Sequence, residues 1–222
     1  MNEKPENSKP TGNRHPVHPA APDVNVIGAA ASILKNGGVV VFPTSGLYGL
    51  GADALCESSV QKVFSLKRRS ETQPLLLLLS DIRDMDRLVR KVPEEARLLM
   101  ALWPGRLTLV FDASDAVPPL LTGGTGKIGL RLPAHPVAKA LTAAFGGPIT
   151  GTSANRSGEP PAYKSADLDT ALCREVDLVL DAGDLSGGFG STVVDVTVRP
   201  VRVIREGRLP VACIWDALKQ PP

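Results

Sequence analysis

Several stretches of this chain carry side chains suited to holding an anion. Lys67, Arg68 and Arg69 close a helical pattern, Lys127 and Arg131 fall on one strand pattern, and Arg205 and Arg208 bracket Glu206-Gly207. Hydroxyls and amides gather at Thr44-Ser45, in ITGTSANRSG over 149–158, and at Ser191-Thr192. Such groups neutralise and orient charge rather than attack. Transfers at phosphorus need that more than they need a protein nucleophile. No Ser-His-Asp set or Cys-His pair stands out, and His135 has no evident catalytic partner. The plain alternative for Lys67–Arg69 is that they complement the dipole of the helix they end. A phosphate-loop reading of TGGTGK over 122–127 fails, because Leu121 stands where the first glycine belongs and Ile128 where Ser or Thr belongs.

The elements that would position these groups alternate between strand and helix. Val39-Val40-Val41-Phe42 is a short apolar run, read as a strand buried on both faces and stopped by Pro43. Tyr48, Gly49 and Gly51 are expected in a loop that brings backbone close to a ligand at the strand end. Glu57-Ser58 open a helix with Val60, Val63 and Phe64 inward. Upstream, Asn25 is expected to cap a helix bearing Val26, Ala30, Ile33 and Leu34, which Gly37 ends. Leu75–Leu79 and Leu107–Phe111 read as strands, with a helix from Glu94 between them that Trp103-Pro104-Gly105 breaks. In the strand from Lys127, period two puts Lys127, Gly129 and Arg131 on one face, with the two cations about 13 Å apart. Pro136 starts a helix that Gly146 ends. Val176–Leu180, Val193–Val198 and Val201–Ile204 are further strands, and Trp215 is expected to pin a last helix.

With 222 residues the chain suits one α/β domain, a single-domain twisted mixed sheet with flanking helices. A formal charge of +2 leaves only a local basic patch for any nucleic acid. Cys56, Cys173 and Cys213 are too scattered for a disulfide framework or a zinc site, which favours a reducing compartment. There is no apolar run of membrane-spanning length and no signal-peptide core, so a cytoplasmic protein without membrane contact is expected. Met1 to Pro22 has no apolar period and reads as a disordered tail whose removal should be neutral. The expected boundaries are a tail over 1–22, a domain over 23–210 and a C-terminal tail over 211–222.

Taken in order, PTSGLYGLG, KRR-x4-P-L, WPGRLT, GLRLPAHP, TSANRSG, STVVD and IREG resemble the YrdC-like family of threonylcarbamoyl-AMP synthases. The resemblance covers Ile27 to Arg208 and is to the single-domain type. It implies a YrdC-like fold with a concave basic face. It also implies a nucleotidyltransferase that makes L-threonylcarbamoyladenylate and pyrophosphate from L-threonine, bicarbonate and ATP, for threonylcarbamoyladenosine modification of tRNA. By the same resemblance the Lys-x-Arg motif falls on Lys67 and Arg69 and the Ser-x-Asn motif on Ser153 and Asn155, the implied catalytic residues. Together with Arg205 they would hold ATP, while Thr44, Tyr48, Arg131 and Ser191 would hold threonine. The implied protein has no metal site and no tightly bound cofactor; Mg2+ arrives with ATP. The implied partners are tRNA or double-stranded RNA on the concave face and the downstream tRNA threonylcarbamoyl transferase proteins. Gly46 replaces a frequent second threonine, Leu78 a frequent histidine and Gln73 a frequent asparagine, which should loosen selection for the threonine hydroxyl. Two readings compete. One is a non-enzymatic RNA-binding module on the same face, opposed by the near-neutral charge and the lack of interleaved aromatics. The other is a paralogous adenylyl or carbamoyl transferase acting on another amino acid.

Overall fold

The structure, a computed structural model, describes residues 12–219. The mixed α/β class read from the sequence holds, with the strands divided between two mixed sheets. One sheet runs, in spatial order, β1 (Arg14–Pro16), β9 (Leu178–Asp181), β2 (Val40–Pro43), β3 (Tyr48–Gly51) and β8 (Thr152–Ser153). The other runs β11 (Arg202–Arg205), β10 (Thr192–Asp195), β5 (Leu107–Asp112), β6 (Lys127–Arg131), β4 (Leu76–Leu78) and β7 (Ile149–Thr150). As its unbroken apolar run requires, β2 is buried on both faces. Val40 and Phe42 join one core with α1 (Val24–Lys35) and α6 (Pro136–Phe145), and Val41 joins the other. The second core collects α2 (Glu57–Lys67), α3 (Met85–Leu88), α4 (Glu94–Met100), α5 (Pro119–Thr122), α7 (Thr170–Glu175) and α8 (Val211–Lys219).

Period two decides what the six-stranded sheet shows on each side. Leu77, Leu109, Ile128, Leu130 and Val194 are fully buried in the second core. Leu76, Leu78, Thr108, Val110, Lys127, Gly129, Arg131, Val193 and Asp195 alternate with them and line an open cavity. The two sheets meet where the chain passes from β7 to β8 through Gly151. Its N–H donates to Leu76 O at 2.9 Å, and a Cβ there would lie 2.7 Å from both Leu76 Cδ1 and Leu78 Cγ. Only glycine lets the strand cross at that distance.

Four expectations need correction. Tyr48–Gly51 is a strand antiparallel to β2 rather than a ligand loop. Its glycines make room for Phe42, whose ring carbon Cε1 would be 2.7 Å from a Cβ on Gly51. The N-terminal stretch is ordered where it is described, while residues 1–11 lie outside the described residues. Arg14–Pro16 fills the open edge of β9 in parallel, Val17 is buried, and the Asn13 amide donates to Cys173 O and Val176 O at 2.7 Å. Three paired residues are too few to show a period, so the sequence hides this strand. At the other end Val211–Lys219 is a helix, pinned by buried Ile214 and not by Trp215, which is 40% exposed. Residues 220–222 lie outside the described residues. Finally, Asp23 rather than Asn25 caps α1, its carboxylate accepting from the N–H groups of Asn25 and Val26. No described helix is long and apolar enough to cross a membrane.

Candidate active site

The bare face of the six-stranded sheet is the floor of a cavity of about 720 Å³. Its walls come from the β2–β3 turn at Thr44 and Leu47, from β8, from Arg69 and Pro74, and from Gly190-Ser191 and β11. Arg69, Lys127, Arg131, Arg202 and Arg205 line it against a single carboxylate, Asp195. That carboxylate is already engaged. Lys127 Nζ stands 3.0 Å and Arg202 Nη2 3.5 Å from its Oδ2, and Thr197 donates to its Oδ1 through N–H and hydroxyl. Burial pushes the Asp195 carboxyl up, but the hydrogen bonds from Thr197 and Lys127 outweigh it and hold the group below its ordinary value. The remaining cations face the cavity without a protein counter-ion among the described residues. A concave surface with surplus positive charge is suited to a polyanion.

Lys67 is not on this surface. It falls on the apolar stripe of α2 with Val60, Val63 and Phe64 and is 2% exposed. Its Nζ donates to Ser153 O and Asn155 O at 2.6 Å and to Asn155 Oδ1 at 3.2 Å. Ser153 Oγ donates to the same Oδ1, and the Asn155 amide donates to Glu159 O. The ammonium thus uses all three protons to shape the turn that carries Ser153. Burial, and then the charge of Arg69, pull its pKa down to about 8. Arg68 adopts the left-handed region at φ 49, an uncommon conformation for a side chain with a Cβ. That turn separates Arg69 from the buried stripe. Arg69 donates to Gln73 O and Pro74 O and lines the cavity.

Arg131 on the floor and Ser191 on the wall are neighbours of the same cavity. Arg131 is 9% exposed, with Nε donating to Gly105 O at 2.7 Å and Nη2 to Ser45 Oγ at 3.3 Å. Burial, and then the neighbouring Arg106, pull its pKa down to about 10. The Ser191 and Thr108 hydroxyls share a 2.7 Å hydrogen bond, and Arg205 Nη2 donates to Ser191 O. The Thr44 hydroxyl donates to Leu47 O within the turn. Tyr48 borders the cavity, but its hydroxyl points into a separate network. It donates to Gly183 O at 2.6 Å and accepts from Ala182 N–H, and burial raises its pKa to about 12.

Residues 32–207 match the family model Sua5/YciO/YrdC, described as telomere recombination. The chain belongs to this family. The threonylcarbamoyl-AMP synthase of Pyrococcus abyssi is 37% identical over 183 residues, 82% of this chain and 54% of that protein. The one from Halorhodospira halophila is 36% identical over 188 residues, 84% of this chain and 91% of that protein. Among solved structures, P. abyssi Sua5 complexed with L-threonine superposes with a TM-score of 0.87 at 33% identity, over 93% of this chain and 61% of that one. E. coli YciO superposes at 0.82 with 28% identity, over 90% and 98%. The chain spans about half the length of the P. abyssi and Bacillus subtilis synthases.

Of the residues expected in the site of this Sua5/YciO/YrdC member, Arg69, Ser153, Arg205, Thr44, Tyr48, Arg131 and Ser191 come together around one cavity. Lys67 and Asn155 do not line it; they stand behind the wall and support Ser153. Lys127, Asp195 and Arg202 are additional lining residues. Period two had already put Lys127 beside Arg131, and the same rule applied to β10 would have put Asp195 beside Val193. The departures at Gly46 and Leu78 have structural reasons. A Cβ on Gly46 would lie 2.8 Å from Gly187 O, so a backbone occupies the space of the frequent threonine side chain. Leu78 is 2% exposed and fills the space over Gly151.

Proposed function

We propose that this chain is an L-threonylcarbamoyladenylate synthase, serving the threonylcarbamoyladenosine modification of tRNA. The observation that carries the reading is the charge of the cavity: five cationic side chains face one carboxylate that is itself paired. A cavity of about 720 Å³ is of the size that ligand pockets reach and suits a nucleotide beside a small amino acid.

In this reading the threonine nitrogen takes up the carbon of bicarbonate with loss of water, giving an N-carboxylate. One of its oxygens attacks the α-phosphorus of ATP. The bond from that phosphorus to the bridging oxygen breaks, and pyrophosphate leaves with the electron pair. Negative charge accumulates on the phosphoryl oxygens and the leaving group, and Arg69, Arg205 and Arg202 would neutralise it. Arg131 and Ser191 would hold the amino-acid carboxylate, the guanidinium offering a planar fork. Ser153 and its turn would orient the nucleoside. Mg2+ would enter with the phosphates, ligated by them and by water. Asp195 is committed to Lys127 and Arg202, and no cluster of three or more His, Cys, Asp or Glu suited to a metal occurs among the described residues. The proposed partners are tRNA and the transferase proteins that consume the adenylate, in the cytoplasm.

The test is pyrophosphate release by the full chain with ATP and Mg2+. Release that requires both L-threonine and bicarbonate supports the reading. Release without either, or with another amino acid only, points to a paralogous transferase. No release together with RNA binding points to the binding module.

A further inference from the structure

A smaller recess of about 30 Å³ opens beside Arg131, lined by Thr44–Leu47, Arg106, Arg131 and Phe189–Ser191. Two guanidiniums converge there on one residue. Arg106 donates through Nη2 to Ser45 O, and Arg131 through Nη2 to Ser45 Oγ. Neither has a carboxylate within ion-pair distance among the described residues. Both have neutral oxygens as their acceptors, and nine-tenths of Arg131 is withdrawn from water. Arg106 is only partly buried, but its charge lies beside the buried Arg131, and a like charge so placed is costly unless an anion lies between them.

The surrounding backbone keeps the recess small. Ser186 Oγ donates to Ser45 O at 3.1 Å, and Gly187 O packs where a side chain on Gly46 would stand. At about 30 Å³ against about 720 Å³ for the main cavity, the space suits one small group. A planar oxyanion matches it best, because a guanidinium presents two parallel N–H bonds to such a group.

We propose that Arg106 and Arg131 form a clamp for one small planar oxyanion, a carboxylate or bicarbonate, which makes Arg106 a further binding residue of the site. Identifying that anion with a substrate rests on the function proposed above; the clamp itself does not. The bland role for Arg106 is a tether, holding Ser45 by one hydrogen bond.

Arg106→Gln separates the two roles, since it keeps an N–H for Ser45 O and removes the charge. A clamp predicts that R106Q raises the KM for L-threonine or for bicarbonate by about tenfold or more, as loss of a charge-assisted contact should. The KM for ATP and the melting temperature should hardly move. R106K, which keeps charge without the fork, should fall in between. An effect on L-threonine identifies the occupant as the amino-acid carboxylate, and an effect on bicarbonate identifies it as the carbonate. Unchanged KM values for both in R106Q overturn the proposal while leaving the proposed reaction standing. A second measurement needs no turnover: the 13C line widths of acetate and bicarbonate titrated with wild type and R106Q. Broadening by wild type that weakens with R106Q supports the clamp even if the chain releases no pyrophosphate. Equal broadening by both proteins, or none by either, refutes it.

Discussion

Lys67, behind a wall of the cavity, and Arg131, lining it, are both buried cations, and their protons go to different places. Those of Lys67 end on three oxygens of the Ser153–Asn155 turn, at 2.6 to 3.2 Å. Arg131 gives one hydrogen bond to Gly105 O and a longer one to Ser45 Oγ, and it faces a second arginine instead of an acid. The first cation is consumed by its own fold. The second is held in place by neutral acceptors with its charge unspent. A charged residue in a site is therefore assigned by where its donors end, and not by its motif. In this chain the Lys-x-Arg motif divides accordingly: Lys67 supports a wall and Arg69 forms part of one.

The largest effect should come from the unspent charge. Arg131→Met is expected to lower kcat/KM for pyrophosphate release by about a thousandfold, roughly 4 kcal/mol of transition-state stabilisation. The fold should tolerate it, because methionine fills similar space and an unpaired buried cation contributes little to stability. Chemical denaturation alongside the kinetics checks both halves.

Lys67→Met should do the reverse and destabilise the protein by about 3 kcal/mol, since several buried oxygens lose a charged donor. The wild type carries a pH signature of this group. Its folded pKa of about 8 lies below the unfolded value near 10.4, so the unfolded chain binds more protons between those limits. The stability of wild type relative to K67M should therefore rise with pH from about 8 to about 10. Denaturant midpoints of both proteins at pH 7, 8, 9 and 10 test the sign.

Deleting residues 1–22 reaches the loop before Ser191 from a distance. Arg14 lies 3.6 Å from Asp181, whose Oδ1 accepts from the N–H of Gly183, where the loop to Ser191 begins. Loss of buried Val17 and the β1 pairing should cost about 2–3 kcal/mol, visible as a fall of several degrees in Tm. An unchanged Tm would restore the view that this segment is a free tail. Gly46→Thr should have the smallest effect, about 1–2 kcal/mol of strain against Gly187 O, with no gain in threonine affinity by titration.

The sequence makes much of this architecture readable where a period is long enough to repeat. The two-sided burial of Val40 to Phe42 follows from an unbroken apolar run, and the shared face of Lys127 and Arg131 follows from alternation. The burial of Lys67 was legible too: counted from Val60 in steps of three and four, the stripe runs Val63, Phe64, Lys67. A lysine on an apolar stripe asks for buried acceptors. What stays hidden depends on contacts between distant segments. Arg106 reaches Ser45 across 61 positions, and nothing in its own neighbourhood announces that. The strand Arg14–Pro16 is invisible because only the open edge of β9, far along the chain, gives it a partner. Gly46 reads as a missing threonine until Gly187 is seen to occupy the space.

The contrast between the two cations is tested most directly by calorimetric titration of L-threonine into wild type, R131M and K67M at pH 7, counting only the folded fraction of each. The expected result is binding to wild type, binding to R131M weakened at least about a hundredfold by loss of the charge-assisted grip, and binding to folded K67M within about threefold of wild type. Wild-type affinity in R131M, or loss of binding in a K67M protein as stable as wild type, would contradict it.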